Sequence, residues 1–178
     1  MIQQKIASEY IANGLSIIPC NEKRPALPSW KSYQENKMSD SDVARYFGNS
    51  EQIGVITGSV SGNLEVIDID DASVFPEFYD AILRYFDGNG HVILTIKTRK
   101  GYHIYFRNDF DMANPPEGIK CNNIKLAQKK KSHNVIPVRI ETRGKGGYVV
   151  APPSPNYEVI YGASLDYIPK WSRFDREA

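Results

Sequence analysis

The segment VIDIDD, residues 66–71, sets three aspartates among six positions beside strand-forming valine and isoleucine. With a strand's two-residue period, Val66, Asp68 and Asp70 share one face, and Ile67, Ile69 and Asp71 share the other. Two carboxylates side by side repel unless something positive offsets them. A divalent cation is one answer, since paired acids bind hard cations through oxygen. Two such ions about 3.5–4 Å apart are a common device for phosphoryl transfer. The same spacing also fits a strand that simply ends in a turn capped by Asp71.

A third oxygen ligand is available in VRIET, residues 138–142. Glu141 projects from the strand face opposite Ile140, together with Arg139, so it can complete a carboxylate set or pair with arginine across strands. It runs into TRGKGGYVVAPPS, where Gly144, Gly146 and Gly147 let the backbone approach a ligand or turn sharply, and where Arg143 and Lys145 can reach phosphate. A hairpin turn with solvated basic residues has the same composition. In TRKGYHIYF, residues 98–106, Tyr102, Ile104 and Phe106 fall on one face and His103 and Tyr105 on the other, just after Lys97, Arg99 and Lys100. A histidine beside a basic turn can hydrogen-bond a triphosphate or its metal-bound form, and can equally be structural. His91 and His133 have no comparable company.

These residues need elements to position them. Ile2, Ile6, Tyr10 and Ala7, Ile11 recur at helical spacing and lead to Gly14, which predicts an amphipathic amino-terminal helix. LSIIP (15–19) predicts a strand, and KRPALPSW (23–30), with two prolines and no period, an ordered loop anchored by Trp30. Ser39, Asp40 and Asp42 start a second helix that Gly48 ends, and Ser73 is expected to cap a third from about Val74 to Tyr85. Strands are expected at 53–57, 64–70, 91–97, 102–106, 138–142, 147–151 and 157–161. The polar, basic stretch 107–135, containing AQKKKSHN, reads as a long loop or irregular insert. Helices mixed with hairpin-like strands predict an α+β fold with a mainly antiparallel sheet.

The 178 residues suit one domain of two lobes, about 1–60 and 61–165. No run of about 18 apolar residues is present, which excludes a membrane-spanning helix. The start lacks a signal-peptide layout, so a cytoplasmic location is expected. Cys20 and Cys121 lie far apart, outside any CxxC pair, and support neither a disulfide framework nor a cysteine zinc site. Between Glu35 and Asp87 eleven acids face three bases, a balance of −8; between Lys97 and Lys145 twelve bases face four acids, a balance of +8. A metal site opposite a polyanion-binding surface gives that layout, as do solvated faces that happen to differ.

Taken in order, GLSIIP, KRPALPSW, IGVITGSVSGNLEVIDIDD, TRKGYHIYF and IETRGKGGYVVAPPSP resemble the archaeo-eukaryotic primase superfamily, and within it the amino-terminal bifunctional primase/polymerase (prim-pol) domain. The resemblance covers nearly the whole chain. It implies a sheet core of the RNA-recognition type with an appended amino-terminal αβ unit. It further implies DNA primase and DNA polymerase activity by a two-metal mechanism, in replication of a plasmid, phage or mobile element. Asp68, Asp70 and Glu141 fall on the family's catalytic acids, which would hold two Mg²⁺ or Mn²⁺ ions. His103 falls on the histidine that contacts the nucleotide's phosphates, and Arg143, Arg99 and Lys100 are candidates for nucleotide binding. The implied partners are single-stranded DNA template and primer, nucleoside triphosphates and a helicase domain or subunit. Tyr102, Tyr105 or Tyr148 are available to stack on bases or to fill the core. Glu141 stands where aspartate is common, Lys145 where an acid is frequent, and two cysteines cannot build the zinc element some relatives carry. WSRFDREA reads as a connection, which makes 1–178 the expected leading part of a longer replication protein. The competing expectations are a non-catalytic nucleic-acid-binding replication-initiator module on the same fold, and a metal-dependent nuclease using the same carboxylates.

Overall fold

The computed structural model describes residues 2–48, 50–89, 93–128, 138–162 and 164–178. The amino-terminal half forms α1 (Ile2–Ala12), β1 (Ser16–Asn21), β2 (Arg24–Pro25), α2 (Asp40–Tyr46), β3 (Gln52–Ile56), β4 (Leu64–Ile69) and α3 (Phe75–Tyr85). There follow β5 (Leu94–Lys97), β6 (Tyr102–Asn108), β7 (Ile124–Gln128), β8 (Val138–Arg143), β9 (Tyr148–Ala151), β10 (Glu158–Tyr161), β11 (Lys170–Trp171) and α4 (Arg173–Glu177). They build two sheets, in the orders β2-β1-β3-β9 and β10-β5-β6-β4-β8-β7. Every pairing on those two paths is antiparallel, and β11 joins β6 in parallel where β5 stops opposite Tyr105. The α+β class with mainly antiparallel sheets is therefore the fold of the chain.

Sheet membership does not follow sequence order. Strand β3 belongs to the first sheet and β4 to the second, and β8 and β9 divide in the same way. The two crossings run side by side: the Thr57 amide donates to the Gly147 carbonyl (3.0 Å) and its hydroxyl to the Gly144 carbonyl (2.5 Å). RGKGG is thus not a hairpin turn but a passage between sheets. Gly146 takes φ +81°, a left-handed conformation that a side chain disfavours.

The larger core lies where the sheets face each other. Ile17, Ile53, Val55 and Val149 of the first sheet pack in one cluster with Leu64, Val66, Leu94, Ile96 and Tyr105 of the second, and α1 and α2 add Ala7, Tyr10 and Val43. Removing each such side chain from water stabilises the fold by about 1.5–3 kcal/mol. A smaller core covers the other face of the second sheet, where Phe75, Phe78 and Ile82 of α3 pack on Ile67, Ile69, Ile104, Phe106 and Trp171. Strand β4 is buried on both sides, which explains its run of strand formers.

Two local expectations change. Asp71, not Ser73, supplies the cap before α3: its carboxylate accepts from the Ser73 amide (3.1 Å) and hydroxyl (2.6 Å), and a single 3-10 turn, Ala72–Val74, precedes the helix. A carboxylate is the stronger acceptor and takes both protons. Within the stretch expected to be a loop, Ile124–Gln128 forms β7, the edge strand against β8. Its polar composition hid it, yet charged side chains suit an edge. WSRFDREA is ordered: Trp171 belongs to β11, which pairs with β6, and α4 follows with a capping box of Ser172 and Asp175. Residues 129–137, with His133, and residues 90–92, with His91, lie outside the described residues.

Candidate active site

Register decides what converges. Antiparallel pairing sets Asp68 opposite His103 on β6 and opposite Glu141 on β8, one row of side chains across three strands. Residues directly opposite on one face come within about 5 Å. Asp70 follows Asp68 on the same face at the end of β4, and Arg143 follows Glu141. The face carrying Leu64 and Val66 is fully buried between the sheets, whereas Asp68 is partly exposed and Asp70 exposed. There the face turns from apolar to acidic and opens into a cleft of about 290 Å³ between the two sheets.

Asp68, Asp70 and Glu141 each offer a carboxylate oxygen, and the three oxygens lie within 4.8 Å of one another. The Arg143 guanidinium spans two of them, donating from Nε (3.2 Å) and Nη2 (3.1 Å) to Asp68 Oδ2 and pairing through Nη2 with Glu141 Oε1. His103 Nε2 lies 3.5 Å from Asp68 Oδ1. Burial pulls the Asp68 carboxyl upward, but hydrogen bonding and charge from His103, then from Arg143, outweigh it and hold it below the usual carboxylate range. Asp68 is therefore ionised at neutral pH, as a metal ligand must be. His103 is buried, and its Nδ1 has no hydrogen-bond partner among the described residues.

The turn between β5 and β6 is held over the end of β4. Gly101 crosses the Ile69 carbonyl so closely that a Cβ there would overlap its oxygen, which requires glycine. Thr98 faces the cleft, Arg99 lines an adjoining pocket that shares Thr98 and Tyr157 with it, and Lys100 is exposed. Lys145 faces a separate groove beside Gly58 and Asn122. Tyr102 stacks on Phe75 (3.7 Å between centroids) on the far side of the sheet, and Tyr105 is fully buried. Of the three tyrosines, only Tyr148 lines the cleft.

The opposite wall combines Tyr148, from the glycine-rich segment already singled out, with segments whose patterning gave little sign of a site. Lys23, Trp30, Tyr148 and Tyr157 line it, and Trp30 meets Tyr148 edge-on at 5.1 Å. Burial, reinforced by the Asp68 charge, pushes the Tyr157 phenol up to about 12, so it stays protonated. The left-handed Glu22–Lys23 turn that brings Lys23 here uses neither Asn-Gly nor Asp-Gly, the usual signals.

An all-oxygen, triply anionic donor set beside an open cleft fits hard divalent cations such as Mg²⁺ or Mn²⁺. A histidine and an arginine at its edge fit a phosphate bound with them. A search of curated proteins returned no match. The profile of the family described as bifunctional DNA primase/polymerase, N-terminal, matches residues 7–171.

Proposed function

The chain belongs to the bifunctional DNA primase/polymerase family, and from that premise we propose that its cleft performs template-directed nucleotidyl transfer. A primer 3′-hydroxyl attacks the α-phosphorus of a nucleoside triphosphate, and pyrophosphate leaves. The observation that carries this is the convergence of Asp68, Asp70 and Glu141 on one row with His103. Two divalent cations held there would supply the charge that activates the hydroxyl and neutralises the pyrophosphate.

The chain's own residues bind and orient. Asp68 and Glu141, fixed by register on neighbouring strands, hold their carboxylates in place, and Asp70 reaches in from the strand end. Arg143 balances Asp68 and Glu141 and stands at the cleft edge, where it would contact the nucleotide. His103 would donate to its phosphates. We assign Arg99 and Lys100, on the flanking turn, to the outer phosphates or to the backbone of single-stranded DNA, a role supported by their charge and by the pocket beside the cleft that Arg99 lines. Replication of a plasmid, phage or mobile element, with a helicase domain or subunit as partner, is the setting we infer.

The test is a single-stranded template with labelled nucleotide and Mn²⁺ or Mg²⁺, with and without a primer. Incorporation in the primed reaction is expected, and incorporation without a primer would add priming. Retention of DNA with no incorporation in either reaction would replace this reading with the replication-initiator module.

A further inference from the structure

Resting on the nucleotide-transfer reading, we propose that Lys23, on the first-sheet wall of the cleft, binds the triphosphate of the incoming nucleotide. Strands β1 and β2 pair through Cys20 with Pro25 and Asn21 with Arg24, which leaves Glu22 and Lys23 as a two-residue turn. Both residues are left-handed, at φ 48° and 67°. That conformation is costly for residues with side chains and persists where the surroundings hold it, often at functional sites.

The surroundings hold Lys23 at both ends of its backbone. Its amide donates to Gln52 Oε1 (2.8 Å), and its carbonyl accepts from the Tyr148 hydroxyl (3.0 Å). Tyr148 is the ring that meets Trp30 and lines the cleft, so the hairpin tip is tied to the wall of the site. The Lys23 ammonium stands 6.0 Å from the centroid of the Tyr157 ring, and that ring lies 5.9 Å from the ring of His103. Tyr157 is the spacer between the two.

The charges give Lys23 its task. Arg143 is engaged by Asp68 and Glu141, whereas Lys23 forms no ion pair with any described residue. At 6 Å the tyrosine ring is at the limit of a cation–π contact and does little to satisfy an ammonium. Lys23 is exposed where it lines the cleft, so its ammonium is open to an anion arriving from solvent. Opposite the carboxylate cluster, that anion is a polyphosphate bound with divalent cations.

Equilibrium binding of dATP and dAMP in Mn²⁺, with steady-state extension of a primed template, tests this. Lys23→Gln should weaken dATP binding roughly tenfold, the scale of one lost charge-assisted hydrogen bond. It should leave dAMP binding nearly unchanged and raise KM for the nucleotide more than it lowers kcat. Lys23→Arg, which keeps the charge, should recover most of the affinity, a recovery that mere misfolding of the hairpin would not give. Equal dATP affinity in Lys23→Gln and the native protein would overturn the inference while leaving nucleotide transfer standing. Failure of the native protein to bind dATP would overturn both.

Discussion

Strand β4 carries an acid on each face, and the two are treated oppositely. Glu65 is fully buried against the outer face of the second sheet. Arg176 of α4 donates to both of its oxygens (2.6 and 3.0 Å), and Asn108 donates to Oε2 (3.0 Å). Three residues along the strand, Asp68 meets His103 and shares one guanidinium with Glu141, has Asp70 as a third carboxylate nearby, and opens on a cleft. A buried acid matched to its own cation holds a structure together. Acids crowded beyond their cations wait for a ligand. Burial alone separates the two poorly; the ratio of partners to charges separates them well.

The strongest way to break the comparison is to empty the crowded side. Asp70→Ala or Glu141→Ala should lower nucleotide incorporation by about 10³-fold, the upper end of what losing one preorganised electrostatic partner costs. Removing Asp70 also relieves repulsion, so its thermal midpoint should hold or rise. Normal primer extension by the Asp70→Ala protein would sink the catalytic assignment.

On the matched side, Arg176→Ala strands the Glu65 charge in the core and should cost about 3–5 kcal/mol in urea unfolding. The double change Glu65→Met with Arg176→Met, which removes both charges, should be close to neutral. If Arg176→Ala unfolds at the native urea midpoint, Glu65 is not the structural acid described.

A smaller effect comes from filling the crowded site. Mn²⁺ at a hundred times its dissociation constant should stabilise the native protein by about 2.7 kcal/mol. Asp70→Ala should lose most of that gain, Arg176→Ala should keep it, and a chelator should reverse it. The same increment in Asp70→Ala would place the ion elsewhere.

The smallest effect is in pH. Burial pulls the Asp175 carboxyl up, but the Ser172 hydroxyl and amide and the Tyr85 hydroxyl outweigh it and hold the group below the usual range. A depressed native value means the cap is fully in place above the unfolded carboxylate value, about 3.9, and weakens as pH falls through the native one. Amide exchange at Ser172, corrected for its intrinsic pH dependence, should therefore quicken on acidification, and Asp175→Asn should abolish that dependence. Exchange that ignores pH would show that the Asp175 carboxylate does not hold the Ser172 amide.

Much of the candidate site is legible in the chain's local patterning. Asp68 and Asp70 on one face, Glu141 away from Ile140, and His103 away from Tyr102 and Ile104 all follow from two-residue alternation. The helices near 40–47 and 75–85 follow from apolar spacing, and the Ser39 cap of the first from residue type. Less visible are β7, masked by its lysine, and α4, whose Arg176 looks like one more solvated charge at the end of the chain. KRPALPSW has no period at all, so nothing local marks Lys23 as a cleft residue.

Which side chains share a face follows from the chain alone, because alternation is a property of the covalent backbone within each strand. Long-range pairing alone sets Asp68 opposite both His103 and Glu141, sends β9 away from β8 to the other sheet, and brings Lys23 and His103 to the same Tyr157 ring. Those facts are pairings between segments far apart in the chain. They are fixed by which faces bury together, and no single segment encodes that.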